Sequence, residues 1–213
     1  NTSVKLSGGL MAIKASGFCL SDIRPDKAYA VLDGADLRNF YLTTEPSQLV
    51  DVEKEGSARA KADIRHIDGL ADLRPSVEAG FHSILKTFVV HTHSVYANLA
   101  ACSTACRPIA AQVFAGAAYT WGWVPYTDPG ANLTFAIRDE LRRVEKETGK
   151  LPSVILMQNH GIIVHDDDPD TALAIHTDAN ERLARTRRSR SSPHRSEWHG
   201  RYRPGDFRST PSE

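Results

Sequence analysis

An α/β domain is the fold class this sequence predicts, and three observations carry that expectation. Short apolar runs of strand length recur between glycine-bearing turns. Longer charged segments with helical apolar spacing separate them. Two of the apolar runs end in histidine, which marks where chemistry is to be sought. The chain has 213 residues, 41% hydrophobic and 24% charged, ordinary for a globular protein and enough for one well-buried domain.

In chain order, SVKLS, LMAIKAS and AYAVLD are strand-like and are separated by turns at Gly8-Gly9 and Ser16-Gly17. Together they predict an antiparallel meander. Residues 45–71 are polar and helix-compatible, most densely at GSARAKADIRHI. Arg74–Thr87 places Pro75 near a helix start and puts Val77, Phe81, Ile84 and Leu85 on one buried face. That helix leads directly into FVVHTHS, Phe88–Ser94, a buried strand. Val95–Ala105 reads as helix, and FAGAAYTWGWVPYTDPG as short strands and turns. Thr134–Lys146 is a charged helix closing at Thr148-Gly149. VILMQNHGIIV is another strand-like run with His160 at its end, and Asp168-Pro169 heads a last amphipathic helix.

Composition narrows the function classes. Lys plus Arg equals Asp plus Glu at 26 each, but residues 184–213 hold eight Arg against three acidic residues, leaving 18 basic and 23 acidic in 1–183. A mildly acidic body carries no nucleic-acid footprint. No run of ~18 apolar residues or charged-then-apolar leader is present, so neither a membrane span nor secretion is expected. Three cysteines fit free thiols in a reducing compartment, and a cytoplasmic protein is expected. Cys102 and Cys106, four apart, read as packing, with metal contact as the alternative. From Arg185 on there is no Leu, Ile, Val or Met, so 185–213 reads as an Arg-rich disordered tail following a domain over 1–184. The chain opens at Asn1 without an initiator Met, and an amino-terminal part is taken to be missing.

The chemistry gathers at the histidines. On a strand, His91 and His93 project from the same side, ~6.5 Å apart at the backbone. Two imidazoles that close can share a metal ion, and a catalytic zinc takes three protein ligands at about 2.0–2.1 Å for nitrogen. His160 is the third candidate. Glu78, in the first turn of its helix in PSVE, is a candidate general base, because a metal stabilises charge on the oxygen beside the carbon it deprotonates. An acid in a first turn also favours the helix dipole by about 0.3–1 kcal/mol, and the sequence leaves both readings open. His82, four residues on, either orients Glu78 or sits in solvent. The Asn1-Thr2-Ser3 segment, the Ser16-Gly17 turn and Ser76 offer small side chains and free N–H groups suited to an anion such as phosphate.

NTSVK, IKASG, PSVE, HTHS and NHG, in this order and at these intervals, resemble the class II aldolase/adducin family over residues 1–184. The wording is most similar to the lyase part of rhamnulose-phosphate aldolase/dehydrogenase fusion proteins. The resemblance implies a three-layer α/β/α fold with a mostly antiparallel central sheet, a homotetramer, and one Zn2+ per subunit. Carried over residue by residue, the metal ligands fall on His91, His93 and His160, the catalytic acid on Glu78, and the phosphate loops on Asn1, Ser16, Gly17 and Ser76. It implies a lyase cleaving a small sugar phosphate or hydroxy-ketone, such as L-rhamnulose 1-phosphate, through a zinc-bound enediolate. An epimerase, dehydratase or decarboxylase on the same scaffold, or a metal-free adducin-like binding module, are the alternatives. Three histidines also suit Mn, Fe or Co. Where several sugar-phosphate aldolases have two serines before the glutamate, this chain has Ser76 then Val77, one polar contact fewer. For the tyrosine that some members bring from a neighbouring subunit, Tyr119 and Tyr126 are the candidates, each with a structural alternative.

Overall fold

The computed structural model describes residues 1–190, the side chains of 186–190 excepted. Apolar runs form seven strands: β1 (Thr2–Lys5), β2 (Leu10–Lys14), β3 (Tyr29–Asp33), β4 (Phe88–Thr92), β5 (Trp121–Val124), β6 (Val154–Met157) and β7 (Gly161–Asp166). They build one mixed sheet in the order β3-β2-β1-β4-β7-β6-β5. Every neighbouring pair is antiparallel except β5 with β6. The expected meander is β1–β2–β3, and β4, which carries His91 and leads into His93, is the middle strand of the seven.

Period-two alternation divides the inner strands between two cores. Ile155, Met157 and Ile163 enter one core, beneath α1 (Gly34–Thr43), α2 (Val52–Ala62), α3 (Ala79–Ile84) and α6 (Ala131–Thr148). Val154, Leu156, Ile162 and Val164 enter the other, beneath α4 (Val95–Ala101), α5 (Cys106–Val113) and α7 (Pro169–Arg190). Helices on both faces make three layers. They also explain why VILM and GIIV are apolar at nearly every position: strands buried on both sides lack a polar alternation. Arg138, 2% exposed, ties α6 to the end of α1 by donating to the carbonyls of Tyr41 and Thr44 at 3.0 and 2.7 Å. Gly149 ends α6 in the left-handed region at φ 73°, as the Thr148-Gly149 signal predicts.

Several elements depart from expectation. Helices α1 and α5 arise where none is expected, and 45–71 yields a single 3-10 turn at Pro46–Gln48 before α2. The helix expected over Arg74–Thr87 shrinks to the six residues of α3, because Pro75 pairs with Ala15 in an isolated bridge and holds the preceding backbone extended. Val77 is consequently 62% exposed and leaves the buried face assigned to it. The helix after Ser94 stops at Ala101. VILMQNHGIIV is two antiparallel strands, with residues 158–160 as the turn and Asn159 at φ 54°. The last helix continues to Arg190, past the start of the expected tail at Arg185, and 191–213 lies outside the described residues. Among the described residues no helix is long and apolar enough to cross a membrane.

His165 on β7 is buried, and its Nδ1 accepts from the Lys86 backbone N–H at 3.4 Å. Burial, followed by the nearby Lys5 and Lys86 charges, pushes its pKa down to about 4. An unfolded histidine titrates near 6.5, so between about pH 6.5 and 4 the unfolded chain binds the extra proton and stability falls as pH falls. Comparing urea unfolding at pH 7 and pH 4, His165→Gln should reduce the acid-induced loss by on the order of 3 kcal/mol. An unchanged pH dependence would refute this account of the buried imidazole.

Candidate metal centre

The antiparallel β4–β7 ladder, with His91 opposite Ile163 and Thr92 opposite Ile162, sets the end of β4 against the start of β7. The turn that precedes β7 therefore lies over the histidine end of β4, and it carries His160. His91 is fixed further by its Nδ1–H, which donates to the Ile162 carbonyl at 3.0 Å and leaves Nε2 facing inward. His93 follows the last strand residue and turns to the same side, its Nε2 3.1 Å from that of His91. The three imidazoles are mutually edge-on, with ring centroids 4.9, 5.0 and 5.0 Å apart.

Glu78 completes the cluster from the residue preceding α3. Its Oε1 lies 3.1 Å from His160 Nε2 and 3.3 Å from His91 Nε2, while Oε2 accepts from the Asn1 amide at 3.0 Å. The four candidate donor atoms all lie within 4.8 Å of one another. Glu78 stands at the N-terminus of α3, and its side chain makes no hydrogen bond to the helix. Burial alone would raise its pKa, but hydrogen bonds from His160 and His91, the charge of His91, and the Asn1 amide hold the carboxyl well below the usual carboxylate range. Burial, then the neighbouring His91 and His160, lowers the pKa of His93. The Gly of the NHG motif is a packing requirement: a Cβ on Gly161 would stand 2.6 Å from the Thr92 carbonyl and 3.1 to 3.2 Å from the His93 and His91 rings.

This donor set fits a divalent cation. Nitrogens around a tetrahedral zinc sit about 3.3 Å apart, and His91 and His93 already present theirs at 3.1 Å. Two imidazole nitrogens that close repel if both carry lone pairs, and a shared cation relieves that repulsion.

Of the expected anion-binding residues, Asn1 and Ser76 both meet Glu78, Ser76 by accepting from the Glu78 N–H at 3.3 Å. Ser16 joins through Arg74, whose guanidinium donates to Ser16 Oγ at 3.0 Å and whose carbonyl accepts from the Ser16 N–H. Gly17, at φ 86°, makes the adjoining turn. Arg74 is a residue the sequence reading passed over, although a cation two places before Ser76 was visible. Arg74, Ser76 and Val77 also line a cavity of about 660 Å³. His82 is buried rather than solvated, and its Nδ1 turns to Ser3 Oγ at 2.7 Å. Tyr119 donates to Asp178 at 2.8 Å within the α7 layer, and Tyr126 donates to Asp128 on the surface.

The sequence profile of the class II aldolase and adducin N-terminal domain matches residues 1–187. The N-terminal class II aldolase domain of a conserved protein from Thermoplasma acidophilum has the same fold, with a TM-score of 0.68 at 18% identity over 87% of this chain and 82% of that one. An L-fuculose 1-phosphate aldolase gives 0.55 at 16% identity over 89% and 75%. Escherichia coli YgbL, named as a candidate aldolase/epimerase/decarboxylase, gives 0.57 at 18% identity over 90% and 79%. No curated protein matches the sequence.

Gly161→Ala should cost about 1–3 kcal/mol, because the atom its methyl meets is a ladder carbonyl that cannot move aside. In a chain of this size that is a thermal midpoint lower by roughly 2–10 °C. A midpoint at or above that of the wild type would show that the β4–β7 turn has room to spare.

Proposed function

The chain belongs to the class II aldolase and adducin family, and from that premise we propose that it is a metal-dependent aldolase cleaving a small ketose phosphate, with L-rhamnulose 1-phosphate as the first substrate to try. The observation that carries the reading is the convergence of His91, His93, His160 and Glu78 within 4.8 Å. A metal-free binding module has no need of such a cluster. The three imidazoles are the groups that would hold one Zn2+ per subunit. When bound, such an ion acts as a Lewis acid on a substrate carbonyl.

The chain's own residues supply the rest. Glu78 carries the proton at the carbon next to that carbonyl: in condensation its carboxylate takes the proton from that carbon, and in cleavage the proton lost by the substrate's reacting hydroxyl reaches the same carbon by way of Glu78. The Asn1 amide at 3.0 Å orients the carboxylate. Asn1, Ser16, Gly17 and Ser76 receive the phosphate. The resemblance of NTSVK, PSVE and HTH to the rhamnulose-phosphate fusion proteins supports that substrate, and the L-fuculose 1-phosphate aldolase among the solved relatives supports the ketose-phosphate class. YgbL's naming favours a second reading, an epimerase or decarboxylase, with a dehydratase in the same group. Each of these reactions differs chiefly in which bond to the same carbon breaks. The proposal places the enzyme in the cytoplasm as a homotetramer, with no nucleic-acid partner, a catalytic domain over 1–184 and an Arg-rich tail beyond it.

The test is release of dihydroxyacetone phosphate from L-rhamnulose 1-phosphate, with added Zn2+ and then with a chelator. Chelator-sensitive release is expected. Glu78→Gln should keep stoichiometric zinc and lose turnover by about 10²–10⁴-fold, whereas His91→Ala, His93→Ala and His160→Ala should lose zinc as well. No release from folded, zinc-loaded protein would move the assignment to the second reading. Failure to take up zinc at all would favour the binding module.

A further inference from the structure

His93 is the ligand candidate that the sheet does not hold. The last ladder pair is Thr92 with Ile162, so the backbone at His93 is already past the strand, and its side chain is exposed. Yet its ring stands edge-on to both other imidazoles. Something other than the ladder sets its direction.

The residues flanking His93 face the opposite layer. Thr92 Oγ1 lies 2.8 Å from His176 Nε2 on α7, and Ser94 Oγ donates to Asn180 Oδ1 on the same helix. Asn180 is itself fixed, its amide donating to the His176 carbonyl at 2.8 Å. The spacings match. Two residues of strand advance ~6.6 Å and four residues of helix ~6.0 Å, so Thr92 and Ser94 present two rungs that an i, i+4 pair on α7 can meet together. Ser94 Oγ also accepts from the Ala97 N–H at 3.3 Å and so starts α4, fixing the chain immediately after His93.

We infer that His176 and Asn180 are positioning residues: by gripping Thr92 and Ser94 from behind, they aim the His93 imidazole at His91 and His160. In extended backbone a slip of one residue sends a side chain to the other face, so gripping both neighbours is what keeps His93 on the cluster's side. The inference rests on the metal reading of the site. It deepens that reading by naming, on a helix that contributes no ligand, the groups that set metal affinity.

The experiment is Zn2+ affinity by competition with a chromophoric chelator, together with the visible absorption of the Co2+ form. Asn180→Ala should bind Zn2+ about 10–100-fold more weakly, the usual effect of removing a group that orients a ligand. Its Co2+ spectrum should change with the loss of one imidazole. Asn180→Asp keeps an oxygen acceptor for Ser94 but loses the amide that donates to the His176 carbonyl, so it should fall between wild type and Asn180→Ala. A merely structural role would lower the thermal midpoint and leave the spectrum of the bound Co2+ unchanged. Should Asn180→Ala fail to fold, Thr92→Val removes the other rung and carries the same expectation. Wild-type zinc affinity and Co2+ spectrum in Asn180→Ala or Thr92→Val would overturn the inference alone. A wild-type chain that takes up no Zn2+ would overturn the metal reading and this inference with it.

Discussion

The pairing of β4 with β7 is the constraint on which the rest of the molecule depends. It sits at the middle of the seven strands and brings residues 72 and 70 positions apart into register, His91 beside Ile163 and Thr92 beside Ile162. On its other flank β4 is held by Asn1, whose amino group donates to the His91 carbonyl at 2.7 Å and whose carbonyl accepts from the His91 N–H at 2.9 Å. A slip of one residue would turn His91 to the other face and take Val89 out of its core. The register is therefore fixed by burial on both sides, with Val89 and Ile163 in one core and Ile162 and Val164 in the other.

That arrangement puts a polar cluster at the centre of a sheet, which carries a cost. His82 Nε2 and His160 Nδ1 are buried without a hydrogen-bond partner, and each such group costs about 1–3 kcal/mol. Full burial of a Leu, Ile or Val side chain returns roughly 1.5–3 kcal/mol. Two cores, one per face, contain many such side chains, so the sheet tolerates histidine where most sheets place aliphatic residues.

The parts legible in the sequence were those fixed by local alternation or by a motif. Same-side projection of His91 and His93 follows from strand geometry, and the gathering of His160 and Glu78 with them follows from the family resemblance; the structure brings all four together. The parts that were not legible depend on contacts distant in sequence. Helix α1 begins immediately after β3, with Asp33 ending the strand and also capping the helix by accepting from the Asp36 N–H, so no loop composition marks the change. Helix α5 buries Cys106, Ala110 and Val113, side chains too small or too mixed to stand out from their neighbours. The Arg74–Thr87 pattern had the right apolar spacing, but a single bridge from Pro75 to Ala15 overrode it. His82 looked exposed because its partner, Ser3, is 79 positions away. His160 was visible as a histidine and not as a turn, since the left-handed Asn159 that reverses the chain has no apolar signature.

Exposure across the cluster shows why its parts are held by different means. The side chains of His91 and His160 are 2% and 8% exposed and that of Glu78 12%, while His93 is open to solvent. The cluster opens to solvent on the side of His93, where β4 gives way to α4. A ligand that continued the ladder would be flanked by β1 and β7 and closed off like His91, so access requires that His93 lie beyond the last pair. Beyond the last pair, however, no backbone hydrogen bond from the sheet fixes the chain. The direction of its side chain then has to come from contacts on the far face of the same segment, which is where Thr92 and Ser94 meet α7. An open edge and a grip from behind are thus two consequences of one geometric fact: the strand ends one residue before its second histidine.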